Sequence, residues 1–428
     1  MIAASLIFVI LLLTGLPIGL VMVASGLAGG VSFGGWDFLQ IIAGRFFAGV
    51  SGFVLIAIPY FILTAELMNR AGLTDRLVAF SKSLFGRVPG ALSHVNVMVS
   101  MLFAGITGAA VTDAVAIGKT LIPAMKKEGY GGAYSAAVTG CASIIGPIIP
   151  PSIIMIVYAT TLRDVSVMSL FAAGIVPGLL MALSLLIASG WVSWRRGYAS
   201  HERVRLGRIV RTGVAALPAF LIPLVIIGGI LSGITTVSEA GALGAFFALV
   251  VGMVVYRTLT WRDVWQSFVS TIAFSGVVFL LLGAATVLGW YVTRSGITQQ
   301  AAELITLMSP NPVVQILAVD ALLLVLGMFI DVLPAVVVAA PVLSPAMVHL
   351  GFDPLHFGMV MLLALNLGNI TPPVGMTLMT AARIAEVPYE AAIKESWPFA
   401  LALVVVVIIA SVSPQLVLWF PRLVGVGG

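Results

Sequence analysis

The chain carries very little charge for its length. Of its 428 residues, 9% are Asp, Glu, Lys or Arg and 61% are hydrophobic, whereas soluble domains carry roughly 25% charged residues. This shortage excludes an ordinary soluble domain and predicts an all-α integral membrane protein, because helices satisfy their own backbone hydrogen bonds in lipid. Apolar runs of about 20 residues, long enough to span a bilayer, are clearest at 3–25, 168–194, 214–235, 237–256 and 397–420.

Cysteine and catalytic motifs are also scarce. The single Cys141 lies in an apolar stretch and cannot form an internal disulfide. The sequence has no Walker A, GxSxG or HExxH motif, and none of its four histidines has a metal-ligand spacing to Cys, Asp or Glu. It therefore predicts neither an ATP-driven pump nor a hydrolase, and we do not expect an enzyme.

The formal net charge of +5 has a topological explanation. Lys and Arg total 21, and their densest group lies in the polar loop at 195–211. If that loop is cytoplasmic, only Arg45, Arg163, Arg294 and Arg422 fall outside, so 21 − 4 = 17 are inside, as the positive-inside rule predicts. The count gives a cytoplasmic N-terminus, an external C-terminus and about eleven membrane elements. The basic charge thus reports orientation and requires no nucleic acid partner.

Helix-breaking residues recur at a fixed offset of 222 positions. The matched pairs are Gly105 with Gly327, Gly146 with Gly368, and Pro150-Pro151 with Pro372-Pro373. The charge count orients the two halves oppositely, so spacing and charge together predict two inverted repeats, 1–212 and 213–428. Matched interruptions in two halves of a membrane protein are typical of secondary transporters.

Two apolar stretches are interrupted in the middle and are predicted to be re-entrant helical hairpins. The first, 91–122, breaks at Gly105 and Gly108, and the second, 312–345, breaks around Gly327 and Asp331. Each arm of about 15 residues makes about 22 Å of helix, which is too short for a hydrocarbon core of about 30 Å. A pair of kinked full spans is the alternative.

A helix interrupted by a double proline follows each hairpin, at 133–163 and at 356–382. Proline has no N–H, so the carbonyls four residues earlier lose their helical partners. Unpaired carbonyls at membrane depth are tolerated only where they line a cavity or meet an ion. Simple proline kinks in packed helices are the alternative. The freed carbonyls belong to Gly146 and Pro147 in the first copy and to Gly368 and Asn369 in the second.

The hairpin tips and the freed carbonyls are predicted to meet near the membrane midplane. Backbone and hydroxyl oxygens suit a small hard cation such as Na⁺, and the repeat predicts two such sites related by pseudo-symmetry. The candidate ligands are Gly105, Thr107, Gly108, Gly146 and Pro150 in the first half, and Gly327, Asp331, Gly368 and Thr371 in the second.

Asp113 and Asp331 are ionisable residues at membrane depth and are therefore functional candidates. They are not repeat equivalents, because Asp331 aligns with Ala109 and Asp113 with Ala335. The asymmetry indicates roles in substrate binding or gating beyond a symmetric ion cage. Helix capping is the alternative for each residue. Asp320, near the entrance of the second hairpin, is assigned no role.

Several segments resemble the large membrane subunit of tripartite ATP-independent periplasmic (TRAP) transporters. They are GAAVTDAVAIGKTLIPAMKKEGY, GPIIPPSIIMIVYA, SEAGALGA, NITPPVGMTL and PQLVLWFPRLV, and in order they extend over essentially the whole chain. The resemblance implies an elevator-type, Na⁺-coupled importer of organic acids such as C4-dicarboxylates or sialic acid, in the bacterial cytoplasmic (inner) membrane. A small four-helix membrane subunit and a periplasmic substrate-binding protein are the implied partners.

The same resemblance implies roles for individual residues. By position, Gly105, Thr107, Gly108, Gly146, Pro150, Gly327, Gly368 and Thr371 match the family's cation-binding elements. Asp113, Ser152 and Asp331 match residues near the substrate. The first tip departs from the family, in which it is often serine-rich, because here it reads Thr107-Gly108-Ala109.

Two other functions compete with a carboxylate importer. A Na⁺/H⁺ or other ion antiporter could use a related inverted-repeat fold, but antiporters usually need titratable carboxylates at the coupling site, and few acidic residues lie near these tips. An intramembrane scaffold or enzyme is the third reading, and the lack of catalytic motifs counts against it.

Overall fold

The computed structural model describes residues 2–85, 88–162, 164–198 and 206–426, and within these ranges all regular structure is helical. Eight of the described helices are long and apolar enough to cross a membrane. This confirms the prediction of an all-α membrane protein. The helices of the first half are α1 (Ile2–Leu13), α2 (Ile18–Gly34), α3 (Phe38–Val50), α4 (Ala57–Arg70), α5 (Leu73–Phe85), α6 (Ala91–Thr107), α7 (Ala110–Lys127), α8 (Gly132–Ser143), α9 (Ile153–Thr161) and α10 (Val167–Arg196).

The second half repeats this order with one helix fewer before its hairpin. Its helices are α11 (Leu206–Leu231), α12 (Val237–Val250), α13 (Trp261–Ser295), α14 (Ile297–Met308), α15 (Pro312–Phe329), α16 (Val332–His349), α17 (Pro354–Gly368), α18 (Met376–Ala385), α19 (Tyr389–Val412) and α20 (Pro414–Leu423). The long α13 corresponds to α3 and α4 together, which are separated by a short 3₁₀ turn at Phe53–Ile56.

The offset of 222 holds at the level of whole helices. Shifting α7 by 222 gives 332–349, which are the bounds of α16. Gly129 and Gly351, which end these two helices, both have positive φ, 86° and 90°, and both Pro-Pro bonds are cis. The two hairpins and two proline-broken helices predicted from the sequence are thus confirmed, with second arms that run a few residues longer than predicted.

Two of the predicted spans are wrong in their bounds. The run 3–25 is two helices, because α1 ends at Leu13 and Pro17 precedes a new helix at Ile18. The run 397–420 is also divided, since α19 ends at Val412 and Pro414 begins α20. In both cases a proline inside an apolar run removes a backbone donor and stops the helix, which hydropathy alone does not register.

The apolar run 214–235 follows the basic loop, and the sequence predicts it to be an extra helix between the halves. Most of this run lies in α11, which begins at Leu206 and crosses position 212. Shifting α1 by 222 gives 224–235, so the end of α11 occupies the place of α1 in the second repeat. The repeat partner of α12 is accordingly α2 alone.

Four helices form a closely packed group that we call the frame: α2, α4, α12 and α13. The helix α2 packs along α13, and the equivalent contact in the other repeat is made by α12 along α4. Glycines permit both approaches: a Cβ on Gly26 would lie 2.9 Å from Val287, and one on Gly241 would lie 3.0 Å from Tyr60. Small residues at membrane helix interfaces allow this close backbone packing.

The hairpins and broken helices form a second group, which we call the site helices: α6–α9 and α15–α18. Both arms of each hairpin pack on the first half of the broken helix that follows them, α8 or α17. The second arms also cross between repeats, since α7 packs on α18 and α16 packs on α9. From Leu355 to Gly368 every residue of α17 is buried. Pro150 and Pro151 of the first break are buried as well, whereas Pro373 of the second break is exposed.

Candidate functional site

The tip of the first hairpin is built around Gly108. Helix α6 ends at Thr107, Gly108 takes a left-handed φ of 60°, and the extended Ala109 leads into α7. A Cβ at position 108 would lie 2.8 Å from the backbone nitrogen of Ile153, so both the turn and the close approach require glycine. The side chains of residues 104–107 lie outside the described residues, so the roles of Gly105 and Thr107 stay predictions.

The first proline break is closed by hydrogen bonds of its own. Helix α8 ends at Ser143, and Ser152 caps α9 by accepting from the Met155 N–H at 3.4 Å. The Ser152 hydroxyl donates to the carbonyl of Pro147 at 2.6 Å. The double proline therefore breaks the helix as predicted, but the expectation that the Pro147 carbonyl is left unpaired is wrong, because a side chain replaces the missing N–H.

Asp113 joins the first hairpin to this break. It lies in the first turn of α7, has no exposed surface, and its carboxylate packs against Gly146, where a Cβ would overlap Oδ2. The structure thus brings together Asp113 and Gly146, which the sequence assigned to different roles. It also explains why position 146 is a glycine, since any side chain there would displace the carboxylate.

The tip of the second hairpin carries a charge at the turn itself. Helix α15 ends at Phe329, and the extended Asp331 precedes α16 without a side-chain capping bond. Its Oδ1 accepts a hydrogen bond from the amide Nδ2 of Asn369 at 3.0 Å. Asp331 therefore does not cap α16 through its side chain, and instead joins the tip to the break. Its partner Asn369 is a residue that the sequence analysis did not place among the ligands.

The second break is also closed by backbone donors. The carbonyl of Gly368 accepts from the Thr371 N–H at 2.9 Å, and that of Asn369 accepts from the Thr377 N–H at 3.1 Å. The prediction that these two carbonyls are unpaired is wrong, since the chain turns tightly enough to supply new donors. Backbone contact with the tip is close as well, because a Cβ on Gly368 would lie 2.7 Å from the Cα of Gly327.

Side-chain oxygens, rather than freed carbonyls, are the free acceptors at the second break. Within the described residues, Asn366 Oδ1, Asn369 Oδ1 and Thr377 Oγ1 are buried and have no hydrogen-bond partner. The Thr371 hydroxyl donates to Leu367 O at 2.7 Å and keeps lone pairs as an acceptor. Oxygens of amide, hydroxyl and carboxylate groups are the ligands that hard cations prefer.

No cluster of acidic residues or histidines supplements these oxygens. Across the described ranges, no three His, Cys, Asp or Glu side chains lie close enough to hold a metal ion. Asn366, Asn369 and Thr377 are polar residues within an otherwise apolar run, NLGNITPPVGMT. That pattern is the sequence signal that could have identified them.

A cavity of about 470 Å³ lies between the first tip and the frame. Ala109, Thr112 and Ile153 line it on the side of the hairpin and break, and Glu66 and Asn69 of α4 line it on the frame side. Its volume is within the range of small-molecule sites, about 300–1,000 Å³. The cavity thus borders the first tip at Ala109.

A larger cavity of about 960 Å³ lies on the other side of the site helices, and we call it the arginine vestibule. Arg45 of α3 and Arg294 of α13 line it, together with Ser166 and Val237 at the starts of α10 and α12. Two guanidinium groups and two helix N-termini favour an anion. Both arginines are among the four that the charge count places outside the cell membrane.

Comparisons with known proteins agree on one family. The model of the DctM component of tripartite ATP-independent periplasmic transporters matches residues 5–416. The sialic acid TRAP transporter large permease of Vibrio cholerae is 35% identical over 413 residues, which cover 96% of each chain. The 2,3-diketo-L-gulonate TRAP transporter large permease of Escherichia coli is 32% identical, with coverage of 97% of this chain and 98% of that protein.

A third relative and a solved structure extend this comparison. The C4-dicarboxylate TRAP transporter large permease of Pseudomonas aeruginosa is 31% identical, with 91% of each chain covered. These relatives are named as permease subunits of transporters and not as enzymes. The crystal structure of the Alcanivorax borkumensis YdaH transporter superposes with a TM-score of 0.67 at 14% identity, over 99% of this chain and 100% of that one, which shows likeness of fold alone.

Proposed function

Because the chain belongs to the DctM family of tripartite ATP-independent periplasmic transporters, we propose that it is the translocating subunit of a Na⁺-coupled importer of organic acids. The observation that carries the Na⁺ assignment is the second tip. There the Asp331 carboxylate is held by Asn369, and three buried side-chain oxygens have no donor within the described residues. Such oxygens are costly in a membrane unless a cation or a substrate occupies them.

The substrate class follows from charge and from the relatives' names. Sialic acid, 2,3-diketo-L-gulonate and C4-dicarboxylates, the compounds in those names, are all carboxylates. The arginine vestibule supports the same class for this chain, because two guanidinium groups facing a cavity of about 960 Å³ attract an anion of that size. Coupling to Na⁺ then offsets the negative charge of the acid as it passes through the membrane.

The movement we propose is an elevator in which the site helices travel against the frame. The site helices pack on one another within and across the repeats, and the frame helices pack on one another in equivalent pairs. The two cavities lie at the junction of these groups, one on each side of the hairpins. A rigid shift of the site helices would therefore open one cavity and close the other without disturbing either tip.

Two partners and a location complete the proposal. A periplasmic substrate-binding protein delivers the acid to the outer face, a small four-helix membrane subunit packs against this chain, and the complex is in the bacterial inner membrane. Family membership supports these assignments. The arginine vestibule, which the charge distribution puts on the outer side, is the surface that would receive the acid.

Uptake by the purified complex in proteoliposomes tests the proposal. We expect accumulation of a radiolabelled acid with an inward Na⁺ gradient, without ATP, and only when the binding protein is present. The matched control replaces Na⁺ by K⁺ on both sides of the membrane. Undiminished uptake in K⁺ would remove the Na⁺ coupling, and full uptake by this chain alone would remove the partners.

A further inference from the structure

A second buried carboxylate lies away from both tips. Asp320 is on α15, is 7% exposed, and neither of its carboxylate oxygens has a hydrogen-bond partner within the described residues. From Asp320 to the end of the helix at Phe329 is about 14 Å at 1.5 Å per residue. The residue therefore does not belong to the group of oxygens around Asp331 and Asn369, and the proposed function makes no use of it.

Asp320 forms no ion pair within the described ranges. It faces Ser411 of α19, whose hydroxyl is engaged as a donor to Val407 O at 2.8 Å. From α17, His356 approaches the same turn of α19, with Nε2 2.9 Å from Ala410 O, and a carbonyl only accepts, so this nitrogen carries the proton. The Nε2–H is thus committed to the backbone, and the imidazole makes no hydrogen bond to the carboxylate.

The other titratable groups on the helices around α15 are bonded to the backbone, exposed, or at the far end of α19. Asp353 accepts from the backbone N–H of His356, while Glu303 of α14 and His349 of α16 are exposed. The charged residues of α19 lie in its first two turns, at the opposite end from Ser411: Glu390, Lys394 and Glu395. A carboxylate that is 7% exposed and forms no ion pair with these groups is poorly solvated, and a charge is costly there.

We propose that Asp320 is a proton-binding site, and that the transporter works with this residue in its neutral carboxylic acid form. The acid needs only one acceptor for its O–H, and Ser411 supplies an oxygen at the right place. A Na⁺ ion would need several oxygens, and Ser411 is the side-chain oxygen that the described residues bring against the carboxylate. Proton loss would place a charge between α15 and α19, and α15 leads to the second tip, so deprotonation would disturb the tip through the helix.

The pH dependence of the protein's stability tests the proton-binding site without a transport assay. An acid that is neutral in the folded protein and ionised in the unfolded chain makes stability fall as pH rises. We expect the melting temperature of the purified protein to fall more steeply from pH 6 to pH 9 for the native chain than for Asp320→Asn, which mimics the neutral acid. Glu303→Gln, an exposed carboxylate on the neighbouring helix, should keep the native slope. Equal slopes for the native chain and Asp320→Asn would overturn the proposal.

Uptake supplies the second readout, and it rests on the proposed function. At pH 6 we expect Asp320→Asn to transport within about twofold of the native chain, and at pH 8.5 to exceed it about threefold, which corresponds to about 0.65 kcal/mol. Asp320→Ala, also uncharged, should show the same flat profile. A folded Asp320→Asn protein that is inactive at pH 6, or whose half-saturating Na⁺ concentration rises severalfold, would overturn the proton site in favour of a cation site. If the proposed Na⁺ coupling is wrong, uptake by the native chain will not depend on Na⁺. The pH dependence of the melting temperature would still test the proton site, because it does not involve transport.

Discussion

The two hairpin tips share a backbone plan and differ in what they offer a ligand. Each is a turn between helices of matching bounds, and each touches a proline break through a glycine, Gly108 at the first and Gly327 at the second. At the first tip the carboxylate lies one turn further along α7, at Asp113 against Gly146, and the hydroxyl of the break, Ser152, is bonded to Pro147 O. At the second, Asp331 is in the turn and meets Asn369. The two tips thus share an arrangement of helices, while the polar side chains are concentrated at the second tip and its break.

The largest effect should come from removing the charge at the second tip. We expect Asp331→Asn to reduce Na⁺-driven uptake by about tenfold or more, the loss of a charge interaction of about 1.4 kcal/mol. Asn keeps the shape, so expression and assembly should be unchanged, and initial uptake rates in proteoliposomes measure the effect. Normal uptake by a well-assembled Asn variant would exclude Asp331 from the site.

A comparison of the two breaks should separate a ligand from a structural bond. Asn369→Ala removes a buried amide oxygen and the donor to Asp331, so the half-saturating Na⁺ concentration should rise about tenfold. Ser152→Ala removes the bond to Pro147 O at the first break and should lower stability by about 1 kcal/mol, with half-saturating Na⁺ within twofold of the native value. Equal Na⁺ shifts in the two variants would contradict the assignment of side-chain ligands to the second break only.

The close approach of the first tip can be tested against a glycine that has space. Gly108→Ala meets both a positive φ and the Ile153 backbone, whereas Gly129→Ala meets a positive φ of 86° with nothing within 4 Å. We expect about fivefold lower uptake for Gly108→Ala, from strain of about 1 kcal/mol or more at the tip, and native uptake for Gly129→Ala. If the two variants behave alike, contact between tip and break does not matter for transport.

The arginine vestibule should give the smallest effect, because its arginines are exposed and screened by salt. Arg45→Gln and Arg294→Gln should each raise the substrate concentration for half-maximal uptake about threefold at low salt, and less at high salt. Arg422→Gln, also predicted to be external but outside the lining of this cavity, is the control. A change in maximal rate without a change in half-saturation would argue against a role in attracting the anion.

The sequence predicted the backbone plan well because glycine and proline act locally. Pro150-Pro151 and Pro372-Pro373 break their helices wherever they occur, and the offset of 222 carries that information from one half to the other. The span 3–25 was mispredicted because hydropathy outweighed a single Pro17. A proline in an apolar run therefore predicts a helix break even when, like Pro17, it has no matching proline 222 positions away.

The ligand chemistry was harder to predict because it depends on contacts between distant segments. A missing helical bond at Pro147 or Asn369 says that the carbonyl has lost one donor, but not that Ser152 or Thr377 supplies another. The pairing of Asn369 with Asp331 joins residues 38 positions apart and has no counterpart in the first repeat. The repeat symmetry therefore predicts ligands at equivalent backbone positions. It does not predict the amide and hydroxyl groups that are present at the second break alone.

Na⁺ binding to the purified protein, measured by calorimetry with and without the charge at the second tip, tests the central claim most directly. Two tips with different ligands predict about two Na⁺ per native chain, and about one for Asp331→Asn, the remaining ion being held at the first tip; cooperative activation of uptake should be lost with it. The same number of Na⁺ ions bound with the same affinity in both proteins would contradict the account, because the second tip would then not be a cation site.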